Sequence, residues 1–374
     1  MGGLIGFAGL SHLGIVSSIA TAAKGFSVVG FDPRQDLIKN LQGKNLPVHE
    51  PDLDDLLTIH SSRMRFTAAS SELKSCSVVV VAIDIPTNSE NQSDLAALDR
   101  LVDSILPDLA EGATLVILSQ VRPGYTRNLS KRLGQDLREN NVHLYYQVET
   151  LVFGRAVERA LYPERFIIGC PNPQQALPSA FENLLQAFGC PILPMRYESA
   201  ELAKIAINIF LTSSVTATNT LAEICEGIGA DWSEIVPSLQ LDKRIGKHAY
   251  LSPGLGIAGG NLERDLVTIK GLAAEHGADD RLIDAFRGNS TYRRDWVLRT
   301  LLPNLPAVGK PVVAVWGLAY KQNTNSIKNS PSLALVECLR GLKVRAYDPQ
   351  VKIDHLAQVD FHQCETALQA CGGA

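Results

Sequence analysis

GLIGFAGLSHLGIVSSIATAAKGFSVVGFDP, residues 3–33, is the stretch on which the fold turns. Residues 3–7 form a short apolar run that reads as a buried strand. A glycine-bearing turn follows, then a helical pattern over residues 10–25, then a second strand that ends in Asp32. Strand, glycine turn, helix and strand with a terminal acid is the opening of a dinucleotide-binding βαβ unit. Such a turn lays a pyrophosphate against the helix N-terminus, where free N–H groups and the helix dipole favour anions. Asp32 would accept hydrogen bonds from ribose hydroxyls, which favours NAD over a cofactor with a phosphorylated ribose. Aligned as Gly6-x-Ala8-x-x-Ser11, the stretch keeps only the first glycine of the usual fingerprint, so its context carries the reading. His12 falls in the first helical turn and reads as a half-buried helix residue.

Further strand-like runs follow at intervals that suit an α/β sheet: residues 77–86, 113–120, 143–149 and 165–170. From Glu198 the period becomes helical and stays so for some thirty residues without an interior proline or glycine. A helix this long crosses between domains or builds a dimer core. Lys204 and Asn208 lie four residues apart on it, hence on one face. Helical patterns return at 266–277 and 279–302, and residues 303–311 read as a linker. Residues 312–320 then open a second strand–turn–helix–strand unit, with Asp348 at its closing strand end. Between the two halves lies GIAGGNLERD, residues 256–265, whose glycines let the backbone approach a ligand closely.

Composition narrows the function classes. The 374 residues are 45% hydrophobic and 20% charged, as in ordinary globular protein, and suffice for two or three domains. A formal net charge of −4 gives no basic footprint for nucleic acid. No apolar run in the sequence reaches the roughly 18 residues expected of a membrane span, and the N-terminus lacks a signal-peptide pattern. Seven cysteines without CxxC spacing or neighbouring histidines point to a reduced cytoplasmic protein and to no metal site.

Taken together, the motifs resemble the nucleotide-sugar dehydrogenases, the group of UDP-glucose, GDP-mannose and UDP-N-acetylmannosamine dehydrogenases. The carrying segments are PVHEPDLDDLL (47–57), QVETLVFGRA (147–156), ESAELAKIAINIFL (198–211), LDKRIGKHAYLSPGLGIAGGNLERD (241–265) and GLAYKQNTNSIKNSP (317–331). The resemblance implies an α/β protein with two Rossmann-like doubly wound domains joined by a long helix and a helical central domain. The expected segments are an NAD-binding domain at 1–195, a dimerisation and substrate domain at 196–302, and a nucleotide-sugar-binding domain at 310–374. The last is expected to be incomplete, since the chain stops where the family continues. A homodimer through the helix around 198–228 is expected, with NAD as cofactor and a nucleotide sugar as substrate.

The resemblance also assigns residues. Lys204 and Asn208 would hold the developing oxyanion, Asp265 would move a proton through water, and Glu149 would assist hydrolysis of a thioester. Gly6, Ala8, Ser11, Asp32, Gln120 and Lys328 would face the cofactor, and Arg244, Tyr250, Gly256, Gly259 and Lys321 the substrate. The largest departure is Asn261, which occupies the position of the family's catalytic cysteine. An amide is no useful nucleophile. Four readings stay open on the sequence: one hydride transfer, two oxidations through an aldehyde hydrate with Glu149 as base, a redox-neutral epimerisation, or binding without catalysis. Other departures lie at Asp84, Ile85, Gln120, Phe153, Asn325 and Lys328.

Overall fold

The computed structural model describes residues 3–88, 90–306, 309, 311–353, 356 and 359–372. The chain forms two compact units, Met1–Lys204 and Ile205–Ala374. The division falls inside the long helix, and the expected segments 196–302 and 310–374 both contribute to the second unit.

In the first unit, eight strands among the described residues form one sheet: β1 (Leu4–Ala8), β2 (Ser27–Phe31), β3 (Met64–Thr67), β4 (Val78–Val81), β5 (Thr114–Ile117), β6 (His143–Gln147), β7 (Phe166–Cys170) and β8 (Ile192–Arg196). Their order is β3-β2-β1-β4-β5-β6-β7-β8, parallel throughout except where β7 runs against β6. The central strands are apolar because helices cover both faces of a parallel sheet, and all four valines of β4 are buried. The order reverses between β1 and β4, and the crevice at the carboxyl ends of those strands is where open α/β sheets take ligands.

The long helix runs from Tyr197 to Ile228, and Gly229 ends it in the left-handed conformation, at φ +78°. Its first turns are tied to the first unit. Tyr197 donates to the carbonyl of Leu144 at 2.7 Å, and Glu198 pairs with Arg127 at 2.9 Å. Glu201, buried, accepts the N–H groups of Gly124 and Thr126 at 2.6 and 2.8 Å, capping the helix Tyr125–Arg132. Burial pushes the Glu201 carboxyl above the usual carboxylate range, against the pull of those donors.

By length and composition the long helix is also apolar enough to cross a membrane, although only 28% of its most apolar window is buried. In the sequence the same stretch is broken by Asn208, Asn219 and the serines and threonines between them, so it is not a continuous apolar run.

In the second unit, the helices Asn261–His276 and Arg281–Arg294 follow the long helix, with Trp296–Leu301 beyond a break at Asp295. The single helix expected over 279–302 is therefore two. Part of the expected linker, Ala307, Val308 and Lys310, lies outside the described residues. A smaller parallel sheet has the order β11-β10-β9, built from β9 (Val312–Trp316), β10 (Lys343–Tyr347) and β11 (Asp360–Gln363).

The two halves repeat one device. Gly9, at φ +89°, donates its N–H to the carbonyl of Phe31 at 2.8 Å, and Gly317, at φ +90°, donates to Tyr347 at 2.8 Å. The acid after each accepting residue then binds the turn: Asp32 accepts from Leu10 N–H at 2.9 Å, and Asp348 from Leu318 and Ala319 at 2.7 and 3.0 Å. Only glycine takes such a φ readily, so the turn chemistry and the strand-end acid belong together.

Candidate active site

The glycine turn lies three residues later than the sequence alignment puts it. Gly6 and Ala8 are inside β1, and a Cβ on Gly6 would meet Leu73, Cys76 and Val79 within the core. The turn is Gly9-Leu10-Ser11, and the helix begins at His12 with Ser11 as N-cap. The fingerprint is thus Gly9-x-Ser11-x-x-Gly14. A Cβ on Gly14 would sit 1.9 Å from the Gly9 carbonyl oxygen and 2.7 Å from that of Ala82. Gly14 therefore lets the helix press onto the strand ends, which is the task of the third glycine in this motif. The signal was the length of the apolar strand: five residues ending at Ala8 leave Gly9 as the first possible turn.

Ser11 ties this turn across the switch point. Its hydroxyl accepts the N–H of Asp84 at 2.8 Å and donates to the carbonyl of Ala82 at 3.4 Å. Ser119 does the same between β4 and β5, accepting from Ile83 N–H at 2.9 Å and donating to its carbonyl at 2.7 Å. Gln120, the next residue, lies in the loop beyond β5 and is partly buried. Asp32, 2% exposed, directly follows β2. Burial raises its carboxyl pKa, but hydrogen bonds from the Arg34 side chain, Leu10 N–H and Arg34 N–H outweigh that, leaving it below the usual range.

His12 does more than fill space. Its Nε2 lies 2.8 Å from Glu50 Oε1, and its ring packs on Phe153 with centroids 4.5 Å apart. Glu50, buried, also accepts the N–H groups of Gly154 and Ala156 at 3.0 and 3.1 Å. This cluster fixes the segment 149–156 beside the helix N-terminus. Sequence reading missed it because its members are 38 and 104 residues apart along the chain. Glu149, just beyond β6, pairs with Lys204 at 3.3 Å, with side chains 16% and 14% exposed. A cavity of about 60 Å³ adjoins Glu149, lined also by Gln147, Thr150, Arg159, Phe166 and Phe188.

The second unit contains a pair of its own. Asn208, one turn beyond Lys204 on the long helix, donates from Nδ2 to Asp265 Oδ2 at 2.5 Å. Asp265 is 1% exposed, and Arg264 Nε lies 3.4 Å from its Oδ1. Asn261 and Asp265 are helical, whereas the helical pattern in the sequence begins only at residue 266. Gly260 is the N-cap, Asn261 the first residue of the helix and Asp265 one turn on. The acid Glu263 in the first turn suits the positive end of the helix dipole. Asn261 is exposed.

The glycines before it are constrained by close neighbours. Gly256, at φ +86°, faces the Ser290 carbonyl oxygen, 2.6 Å from where a Cβ would be, and Gly259, at φ +79°, lies under the Tyr320 ring. The Lys328 side chain packs over Gly260, and Asn329 donates to the Gly259 carbonyl at 2.8 Å and to Glu263. Lys321 stands 5.5 Å over the Tyr320 ring. Arg244 pairs with Asp242 at 2.6 Å on an open surface, and Tyr250 is exposed.

This sheet order, glycine turn and strand-end acid define the class of NAD-dependent Rossmann oxidoreductases. The family models of the UDP-glucose/GDP-mannose dehydrogenase family match in three parts: the NAD binding domain over residues 4–188, the central domain over 198–290, and the UDP binding domain over 314–374. The chain belongs to that family, and with it to the NAD-dependent nucleotide-sugar dehydrogenases.

UDP-glucose 6-dehydrogenase TuaD of Bacillus subtilis is 29% identical over 348 residues, covering 91% of this chain and 75% of its own length. UDP-glucose 6-dehydrogenase AglM of Haloferax volcanii is 29% identical over 359 residues, covering 91% and 82%. Among solved structures, the UDP-glucose dehydrogenase of Pyrobaculum islandicum superposes with a TM-score of 0.80 at 25% identity, covering 94% of this chain and 82% of that one. The UDP-D-ManNAc dehydrogenase of Pyrococcus horikoshii superposes with a TM-score of 0.80 at 26% identity, covering 95% and 85%.

Proposed function

We propose that the protein takes one hydride from an alcohol carbon of a nucleotide-linked sugar, giving an aldehyde or ketone, and stops there. The single observation that carries this is Asn261, which stands at the helix start one turn before Asp265, where the resemblance expects a thiol. Carrying an aldehyde on to a carboxylate through a thioester needs a nucleophilic sulfur, and an amide supplies none.

The residues of the turn fit a dinucleotide. Gly9 makes the tight turn and Gly14 lets the helix close onto the strand ends, the first turn of the helix at His12 offers N–H groups to a pyrophosphate, and Asp32 stands at the ribose end. NAD, when bound, supplies the hydride acceptor. Ser11 orders the turn, and Gln120 and Lys328 are assigned to the cofactor. Lys204 and Asn208 hold the oxygen as its proton leaves: an ammonium and an amide N–H both stabilise an alkoxide. Asp265 takes that proton through water. Arg244, Tyr250, Gly256, Gly259 and Lys321 are assigned to the nucleotide sugar.

A second reading keeps both oxidations, with Glu149 activating water on the aldehyde. The 3.3 Å contact with Lys204 supports it, since it holds a carboxylate beside the ammonium assigned to the oxyanion. The proposal is tested with NAD⁺ and a panel of UDP-, GDP- and TDP-sugars, following NADH. It predicts formation with at least one sugar. No NADH from any of them, with the sugar recovered unchanged, contradicts it and leaves binding alone.

We also propose a homodimer through the long helix. Phe210, Leu221, Ile224 and Ile228 recur at helical spacing on one face and are 76%, 46%, 50% and 73% exposed. A stable dimer buries about 1,200–2,000 Å², and a stripe of this length is a fitting centre for it. Light scattering is expected to give a dimer for the natural chain and a monomer for Ile224→Glu, Ile228→Glu. A monomeric natural chain, or an unchanged dimer in the variant, contradicts it. All seven cysteines are free, which supports a reducing cytoplasm as the place of action.

A further inference from the structure

Asp32 is already fully engaged. Its Oδ2 accepts Leu10 N–H and Arg34 Nη2, both at 2.9 Å, and its Oδ1 accepts Arg34 Nε at 2.8 Å and Arg34 N–H at 3.1 Å. A carboxylate offers about four lone-pair sites, so none is left for a ribose hydroxyl while Arg34 stays in place. The forked pairing also cancels the charge that makes a strand-end acid reject a phosphorylated ribose. The Arg34 side chain is 59% exposed against 4% for Asp32, so the acid is fixed and the guanidinium is free to turn. Water can take over the Arg34 N–H groups when it turns away, and a ribose hydroxyl can take over the carboxylate oxygens it leaves. Asp36, in the first turn of the helix Gln35–Gln42, adds a weaker attraction on Arg34.

We infer that Arg34 is a cofactor-selecting residue that lets this site take a dinucleotide with a 2′-phosphate as well as NAD. With NAD bound, Arg34 turns outward and Asp32 receives the ribose hydroxyls. With the phosphorylated cofactor bound, Arg34 lies between Asp32 and the 2′-phosphate and binds both anions through its several N–H groups. The inference rests on the reading of the crevice beside β1 and β2 as the dinucleotide site.

The test is fluorescence titration of the protein with NADH and with NADPH, without sugar, so turnover is not needed. The natural chain is expected to bind NADPH within about tenfold of NADH, with NADPH weakening more as salt rises. Arg34→Ala is expected to weaken NADPH roughly tenfold or more by removing a charge-assisted contact, and to leave NADH within about threefold. Arg34→Lys should recover part of the NADPH binding, since a point charge remains. NADPH binding about a hundredfold weaker than NADH in the natural chain overturns the inference. An equal loss of both ligands in Arg34→Ala, with an unchanged melting temperature, does so too. If neither dinucleotide binds, the reading of the crevice itself fails, and that outcome is distinct from NADH binding alone.

Discussion

Lys204→Ala is expected to lower kcat for NADH formation by about 10²–10³-fold, the scale for losing one donor to a developing oxyanion. Lys204 lies on the first turns of a helix anchored by Tyr197, Glu198 and Glu201, so its backbone position does not depend on its own side chain. Removing the ammonium deletes a contact that strengthens as the alcohol loses its proton, and leaves Glu149 without its partner at 3.3 Å. The effect should fall on kcat and kcat/KM alike with KM little moved, because substrate affinity is set elsewhere. A loss below about tenfold contradicts the role assigned to Lys204. So does a rise in KM at unchanged kcat, which would mark it as a substrate-binding residue only.

Gly14→Ala is the second large effect, and it acts on the fold. The added carbon would lie 1.9 Å from one backbone oxygen and 2.7 Å from another, at the ends of β1 and β4. Neither is a flexible side chain, so the helix must lift from the sheet. Overpacking a core typically costs ~1–3 kcal/mol, and a clash against two strand ends belongs at the top of that range or above it. At ~2–4 °C per kcal/mol, melting of the first unit should fall by roughly 6–12 °C. Gly271→Ala is the control, since nothing lies within 4 Å of its open helical position. That change is expected to stabilise by up to ~1 kcal/mol through helix propensity. Equal melting of Gly14→Ala and the natural chain contradicts the close packing described.

How much of this was legible in the sequence depends on whether the information was local. The β1–helix–β2 unit was readable because period, turn residue and strand-end acid all lie within residues 3–33. The register within it was not, because Gly6, Gly9 and Gly14 look alike in a string. Gly6 is needed for space within the sheet, Gly9 for its φ of +89°, and Gly14 for helix contact. Three strands escaped notice for a different reason. β3 is four residues long, β8 contains Pro194 and is largely exposed, and β11 is short and polar. Each is a strand because a neighbour pairs with it, which no local propensity records.

The site divides the same way. Lys204 and Asn208 could be placed on one face because they share a helix. The His12–Glu50–Phe153 cluster could not, because three distant segments build it. The start of the helix at Asn261 was hidden by the glycines before it, which put the readable helical pattern no earlier than residue 266. It matters for the chemistry, since it puts Asn261 in the first turn of a helix, one turn ahead of the acid assigned to proton transfer.

Counting NADH against sugar consumed, with the first nucleotide sugar that reacts, tests the central claim most directly. One NADH per sugar, with an aldehyde or ketone as product, is the predicted result. Two NADH per sugar with a carboxylate product contradicts it, and shows that this chain completes both oxidations with an amide where a thiol is expected.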